Sequence, residues 1–280
     1  MTHQVLIELL ATYPKNASVF RVRSKKSDGG FRVITKPNKQ LGSWLKQVNK
    51  VLNELYPSWP DYIHGKKRHS YVTFAKAHVG QSVVITIDIK NCFPSVSQSK
   101  VAASLENRLQ LERSVAIALA SKLCERGEVP QGFSTSNFLS NLALLESFEK
   151  LDALTQGHGL KFTNYVDDIA ISGEITDPGQ IINEVALILS RAGFSLKKAK
   201  IKVMPSNTKQ IICGLIVNER VSLTKQKKKS LVSAILNSDM SKESARGWIA
   251  NTKGFDAKFS NKLSMTLEKA MTNSKGASNR

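Results

Sequence analysis

Two adjacent acids, Asp167 and Asp168, lie in the stretch KFTNYVDDIAISG between two short runs of β-forming residues, 161–165 and 169–172. The pattern predicts a β-hairpin with carboxylates at its tip. Like charges side by side on a tight turn are unfavourable, because each raises the cost of ionising the other. A divalent cation removes that cost, and oxygen-only ligands backed by apolar strands suit Mg²⁺, which keeps waters and is completed by substrate phosphates. Alone, the pair reads as a solvated turn, since Asp is a common turn residue. A third acid changes the reading. Residues 83–89, VVITIDI, form the nearly continuous apolar run of a strand buried on both faces, and Asp88 stands near its end. A buried charge needs a partner or a metal. Asp88, Asp167 and Asp168 together would hold two Mg²⁺ for in-line phosphoryl transfer, one ion activating a 3′-hydroxyl and the other steadying the leaving pyrophosphate.

These blocks resemble those of the reverse transcriptases, in family order through nearly the whole chain. Residues 88–93 resemble motif A, Val129-Pro130-Gln131-Gly132 motif B and Tyr165-Val166-Asp167-Asp168 motif C. Within that family the chain is similar to the small bacterial enzymes, the retron reverse transcriptases and their defence-associated relatives. The resemblance implies an α+β right-hand polymerase: fingers with an N-terminal helix over 1–80, a palm with a split β-α-β sheet and the YVDD hairpin over 81–222, and a small basic helical thumb over 223–280. A finger-like helical insertion would lie near 97–125. It also implies RNA-directed DNA synthesis from dNTPs with two Mg²⁺, Mn²⁺ being a substitute. The implied partners are a structured non-coding RNA that serves as template and primer, its DNA product, and a separately encoded effector in antiphage defence.

By the same resemblance Asp88, Asp167 and Asp168 are catalytic and, with Ile89, hold the metals. Phe93 is the steric gate whose ring excludes a ribose 2′-hydroxyl; an ordinary core Phe is the alternative. Gln131 offers amide donors, and Gly132 lets backbone approach a ligand closely. Lys200 aligns with a lysine near the leaving pyrophosphate, a general acid, although Lys197 and Lys198 share that register. Tyr165 and Gly214, the latter in a primer-grip turn, contact nucleic acid. Three positions depart from the family pattern. Phe74 stands where the NAxxH element of retron enzymes has Asn, Cys213 where they carry Thr, and Asn137 where Pro is usual. Two further readings therefore stay open: a defence reverse transcriptase without a retron RNA, and a nucleic-acid-binding scaffold with a vestigial site. His78 reads as a hydrogen-bonded histidine near the palm or as part of that retron element.

The rest of the chain must position these groups. Its 280 residues suffice for a substantial core, and 41% hydrophobic content is ordinary. A net charge of +19 is not, and favours a polyanionic partner, nucleic acid before a membrane surface. No apolar run is long enough to span a bilayer and no secretory signal pattern opens the chain, so membrane partners are not expected and a bacterial cytoplasmic location is. Three widely spaced cysteines make neither a zinc pattern nor a disulfide framework, which fits a reducing compartment.

Residues 1–13 read as an amphipathic helix and 20–34 as a hairpin with a basic, solvated tip; the resemblance implies that it is the fingers hairpin, where Lys25 or Lys26, with Arg32, would bind the incoming triphosphate. Arg32 is favoured because guanidinium matches phosphate oxygens in a fork. Helices follow near 39–52, 97–109, 114–124 and 137–154, the last burying Phe138, Leu142, Leu145 and Phe148. Asp177-Pro178 starts another. Residues 64–70 read as basic and flexible. From 196 to 280, 18 Lys and Arg stand against 5 Asp and Glu, so +13 of the total charge lies there. Lys225, Lys227, Lys228 and Lys229 lead this segment, which reads as a thumb gripping duplex phosphates. Trp248 and Phe255 read as core residues or as stacking platforms.

Overall fold

The computed structural model describes residues 2–25 and 29–277, so Lys26 lies outside the described residues. Helix α1 (Thr2–Ala11) buries Leu6 against α2 (Lys39–Leu55). Asn38 caps α2 by accepting a hydrogen bond from the Leu41 amide, and Leu41, Trp44, Leu45, Val48 and Leu52 recur at helical spacing on its buried face. Between them the antiparallel hairpin β1 (Val19–Lys25) and β2 (Phe31–Pro37) projects with most of its residues exposed. Helix α3 (Tyr71–Lys76) starts from a Ser70/Thr73 capping box.

The central sheet has the order β4-β5-β3-β6, all pairs antiparallel: β3 (Val83–Asp88), β4 (Lys161–Tyr165), β5 (Asp168–Gly173) and β6 (Lys202–Pro205). Alternation along the strands gives the sheet two faces. Ile85, Ile87, Phe162, Ile169 and Ile171 point into the larger core with α4 (Gln98–Leu109), α5 (Arg113–Leu123), α6 (Ser136–Gly157) and α7 (Pro178–Arg191). Val84, Ala170 and Met204 point the other way, into a second core. That core joins α3 to the small sheet β7 (Ile211–Ile212), β8 (Leu215–Ile216) and β9 (Ser222–Leu223), and to α8 (Lys225–Leu236), α9 (Lys242–Lys253) and α10 (Ala257–Ala277).

The sequence suggests one core face for α6, but residues all around it are buried, including Ser140, Asn141 and Ser147. It runs between α2, α4, α7 and β4, which cover most of the surface of its first turns. Trp248 and Phe255 pack against the second core, which makes them packing residues in this structure.

Candidate active site

Antiparallel pairing sets Asp88, the last residue of β3, directly opposite Asp168, the first of β5. Both side chains leave the sheet on the side of the second core, away from the helices packed on Ile87 and Ile169. Asp167 occupies the turn just before β5, and its carbonyl accepts a hydrogen bond from the Ile89 amide at 2.9 Å. The hairpin tip is thereby tied to the end of β3. The turn is tight: Val166 has φ +60°, a left-handed conformation that is costly for a β-branched residue. Asn164 holds it by donating from Nδ2 to the Val166 carbonyl at 3.1 Å. Ile89 has its side chain buried in the larger core, so only its main chain is available to a ligand.

The electrostatics of the three acids are those of a site short of positive charge. Burial, then the neighbouring Asp167, pushes Asp168 up to about 6. Asp167 is also raised, by burial first, with Asp88 adding to the effect and Lys200 and Arg32 opposing it. Lys200 supplies the nearest cation, its Nζ standing 2.5 Å from Asp88 Oδ2. That bond, with the other two acids, holds the Lys200 ammonium above its usual range. Among the described residues no three His, Cys, Asp or Glu side chains converge as metal ligands, and the ammonium sits on Asp88 instead. The donor set nevertheless fits a hard divalent cation, being oxygen-only, anionic and destabilised by its own repulsion. The turn between β7 and β8 reaches over the same acids. Cys213, at φ +46°, donates its thiol to Asp168 Oδ2 at 3.4 Å, and Gly214 follows at φ +79°.

The hairpin is braced from behind. His78 is wholly buried, with Nδ1 2.6 Å from Ser172 Oγ on β5 and Nε2 2.6 Å from Thr163 Oγ1 on β4. Burial lowers its pKa to about 3, with Lys161 and His64 acting in the same direction, so the ring is neutral and donates through one nitrogen while accepting through the other. Phe74 stacks on Tyr165 at 5.9 Å between ring centres. An Asn at position 74 would not provide this apolar brace.

Residues 64–70 are not the flexible segment their composition suggests. The His64 amide donates to the Asn164 carbonyl, and the Asn164 amide to the Tyr62 carbonyl. His64 is buried, with its pKa lowered to about 4 by burial first and His69 and Lys66 next. Lys66 Nζ is spent on the carbonyls of Trp59 and Pro60. Gly65 fits against the catalytic turn, where an added Cβ would lie 3.3 Å from the Val166 amide nitrogen. Sequence reasoning missed this wall, because satisfied and solvated lysines look alike in a sequence.

The remaining sequence-predicted residues gather from several elements. Phe93 is half-buried beside the larger core, on the turn that follows β3. Arg32 is exposed on β2, near enough to lower the Asp167 pKa. Gln131 accepts, through its carbonyl, a hydrogen bond from the Thr35 amide at 2.8 Å. Gly132, at φ +130°, is needed for a contact within the protein: a Cβ there would lie 2.5 Å from the Thr35 carbonyl oxygen. The motif B loop thus fastens the β1–β2 hairpin to the site. Of the thumb lysines, Lys225, Lys227 and Lys229 are exposed. Lys227 lies over the Trp248 ring, whereas Lys228 is half-buried, paired with Asp256 and over Phe259. Its charge is directed into the helical bundle.

Comparison with known proteins fits this arrangement. Residues 24–229 match the family profile described as "Reverse transcriptase (RNA-dependent DNA polymerase)". Similar curated proteins include the Retron Se72 reverse transcriptase of Salmonella heidelberg, 27% identical over 207 residues, which span 71% of this chain and 54% of that one. The Retron Ec86 reverse transcriptase of Escherichia coli is 24% identical over 261 residues, 90% of this chain and 80% of that one. The Retron Mx65 reverse transcriptase of Myxococcus xanthus is 27% identical over 248 residues, 82% and 58% of the two chains. The chain therefore spans little more than half the length of the first and third. Among solved structures, a Candida albicans telomerase in complex with a fragment of telomeric RNA superposes with TM-score 0.56 at 12% identity, covering 96% of this chain and 59% of that one. A truncated apo telomerase from Candida tropicalis gives 0.51 at 14%, covering 79% and 60%. At such identity the likeness is one of fold.

Proposed function

The chain belongs to the reverse transcriptase family and has its right-hand polymerase fold, and from that premise we propose that it is an RNA-directed DNA polymerase. The observation that carries the reading is the convergence of Asp88 and Asp168 across β3 and β5, with Asp167 on the turn between β4 and β5. Membership implies a divalent metal. We assign it as two Mg²⁺ held by Asp88, Asp167, Asp168 and the main chain of Ile89, with Mn²⁺ able to substitute. When bound, the ions supply activation of the primer 3′-hydroxyl and charge neutralisation at the leaving pyrophosphate.

The protein's own residues do the rest. Arg32, beside Asp167, offers a fork of donors to the incoming triphosphate, and Lys26 is proposed for the same task. Gln131 and Gly132 hold the hairpin that carries Arg32 against the nucleotide site. Phe93 lies under the sugar and selects dNTPs over rNTPs. Lys200 is protonated and leaves Asp88 as other cations and phosphates arrive, which puts its proton near the departing pyrophosphate. Tyr165, braced by Phe74, and Gly214 meet the nucleic acid, and Lys225, Lys227 and Lys229 meet duplex phosphates. Lys228, turned into the bundle, supports that surface. In domain terms, we assign 1–80 to fingers, 81–222 to palm and 223–280 to thumb.

The retron reverse transcriptases among its relatives support a dedicated non-coding RNA as template and primer, with a branched RNA–DNA product. Antiphage defence with a separately encoded effector is the matching role. A second reading, a defence enzyme without a retron RNA, is favoured by Phe74 and Cys213, both of which are built into the site. Expression with native flanking DNA, followed by extraction of co-purified nucleic acid and treatment with RNase, DNase and debranching enzyme, separates the two. A discrete RNA joined to DNA, absent in Asp168→Asn, supports the retron reading. DNA without a branched dedicated RNA supports the second, and no mutant-sensitive DNA rejects both. No described helix is long and apolar enough to cross a membrane.

A further inference from the structure

Lys100 stands in the first turn of α4, where the helix dipole disfavours a cation. Its amide already donates to the capping hydroxyl of Ser97, so the helix start is satisfied without the ammonium. The side chain is half-buried, and burial lowers its pKa. Neither its own helix nor its solvation favours a lysine here. The contacts of its ammonium do.

Those contacts belong to other segments. Nζ donates to the Ala192 carbonyl at 2.8 Å and to the Ser95 carbonyl at 3.4 Å, and it lies 4.3 Å from the centre of the Phe194 ring. Ala192 ends α7, and a cation on the last carbonyls of a helix satisfies an open acceptor and the negative end of the dipole together. Ser95 lies on the motif A turn that carries Phe93. Phe194 is buried and opens the segment that returns to the catalytic acids. The fit is close: a Cβ on Gly193 would stand 3.0 Å from Nζ.

The segment so anchored carries Lys200. Residues 195–197 run antiparallel to 88–90. The Lys90 amide donates to the Ser195 carbonyl and the Lys197 amide to the Asp88 carbonyl, each at 2.8 Å, with Ile89 opposite Leu196. A single 3-10 turn, Lys198–Lys200, then brings Lys200 Nζ to 2.5 Å from Asp88 Oδ2. Two backbone hydrogen bonds are a short ladder for a residue that must meet a reacting group. Lys100 adds a second anchor just upstream of it.

We propose that Lys100 is a positioning residue for phosphoryl transfer, fastening the end of α7 to the motif A turn and thereby setting where Lys200 stands. The proposal rests on the reading of Lys200 as the proton source near the departing pyrophosphate. A general acid acts only from within hydrogen-bond reach, so loosening the segment that carries it lowers the rate of chemistry and spares substrate binding.

The test pairs hydrogen exchange with kinetics. In the full chain without metal, Lys100→Met should speed exchange of the Lys90 and Lys197 amides roughly tenfold, the worth of one hydrogen bond, and leave β5 unchanged. In single-nucleotide extension of a DNA primer on RNA, it should lower kcat roughly tenfold with the KM for primer–template unmoved. In a Lys200→Ala background the same substitution should cost nothing further. Met keeps the stem and removes the donors. Gly193→Ala keeps the donors and displaces them, and serves in the same cycle if Lys100→Met does not fold. Unchanged exchange at Lys90 and Lys197, exchange raised evenly over the central sheet, or an equal loss of kcat in both backgrounds overturns the proposal. The two readings fail differently. Full kcat in Lys200→Ala rejects the general-acid reading and the proposal with it, whereas a slow Lys200→Ala beside a fully active Lys100→Met rejects the positioning role alone.

Discussion

Replacing Asp168 by Asn should make the metal-free protein more stable while abolishing synthesis. Burial and the adjacent Asp167 raise the Asp168 pKa from 3.8 to about 6. A raised carboxyl pKa means that the folded chain holds the proton more tightly than the unfolded one. The destabilisation is therefore absent below pH 3.8, grows as pH rises, and is complete above pH 6. Each pKa unit is worth about 1.4 kcal/mol, so ionised Asp168 costs the metal-free fold roughly 3 kcal/mol at pH 7.5. Asn is close in shape and neutral, and its amide oxygen can still accept from the Cys213 thiol that now donates to the carboxylate. We expect Asp168→Asn to gain roughly 1–3 kcal/mol in urea unfolding with EDTA at pH 7.5, with unchanged denaturant slope and a Tm several degrees higher. The gain should shrink at pH 5. Added Mg²⁺ should stabilise the wild type and leave the variant nearly unmoved, while RNA binding is kept and primer extension is lost. A variant equal to or weaker than wild type in EDTA would refute the reasoning, because burial and the neighbouring acids would then not be penalising the Asp168 charge.

His78 carries the acid limit of the fold. Its folded pKa, lowered to about 3, lies below the unfolded value near 6.5, so its contribution is complete above pH 6.5 and is lost as pH falls towards 3, by at most about 1.4 kcal/mol per unit. His64, lowered to about 4, adds to the loss over the upper part of that window. Unfolding between pH 7 and 5 should flatten in His78→Gln, and an unchanged slope would exclude this residue as the source. Gly132→Ala should cost several kcal/mol or detach the fingers hairpin, since both the positive φ and the Thr35 carbonyl oppose a Cβ; limited proteolysis within 19–37 reads the detachment. Phe93→Ala should admit rNTPs in single-nucleotide incorporation, and unchanged sugar selectivity would reject the gate.

Local patterns in the chain already indicated which residues would do chemistry and which elements would carry them. The Asp177 cap, the buried strand 83–88 and the hairpin around 165–168 all follow from neighbours in sequence. The features the sequence hides are those created by distant segments meeting. Three lysines compete for one role in 197–200, and the register of β3 with β5 and the turn at 198–200 decides that Lys200 reaches Asp88. Gly132 reads as room for a ligand until β2, far upstream, is seen to fill that room with the Thr35 carbonyl. The basic letters of 64–70 suggest solvent, yet Lys66 is absorbed by two carbonyls and Gly65 by the catalytic turn. In each case the backbone of one segment satisfies or excludes the side chain of another, and composition carries no record of that. One consequence bears on the site itself. The hairpin tip is strained at Val166 and charged at two successive residues, and it is held by His78 from behind, Asn164 from within and Gly65 from the side. None of these three braces carries a net charge at neutral pH. The braces add no countercharge and Lys200 pairs with Asp88 alone, so among the described residues Asp167 and Asp168 keep no ion-pair partner at the tip until cations arrive, and the binding energy of those cations is not spent on folding the turn that receives them.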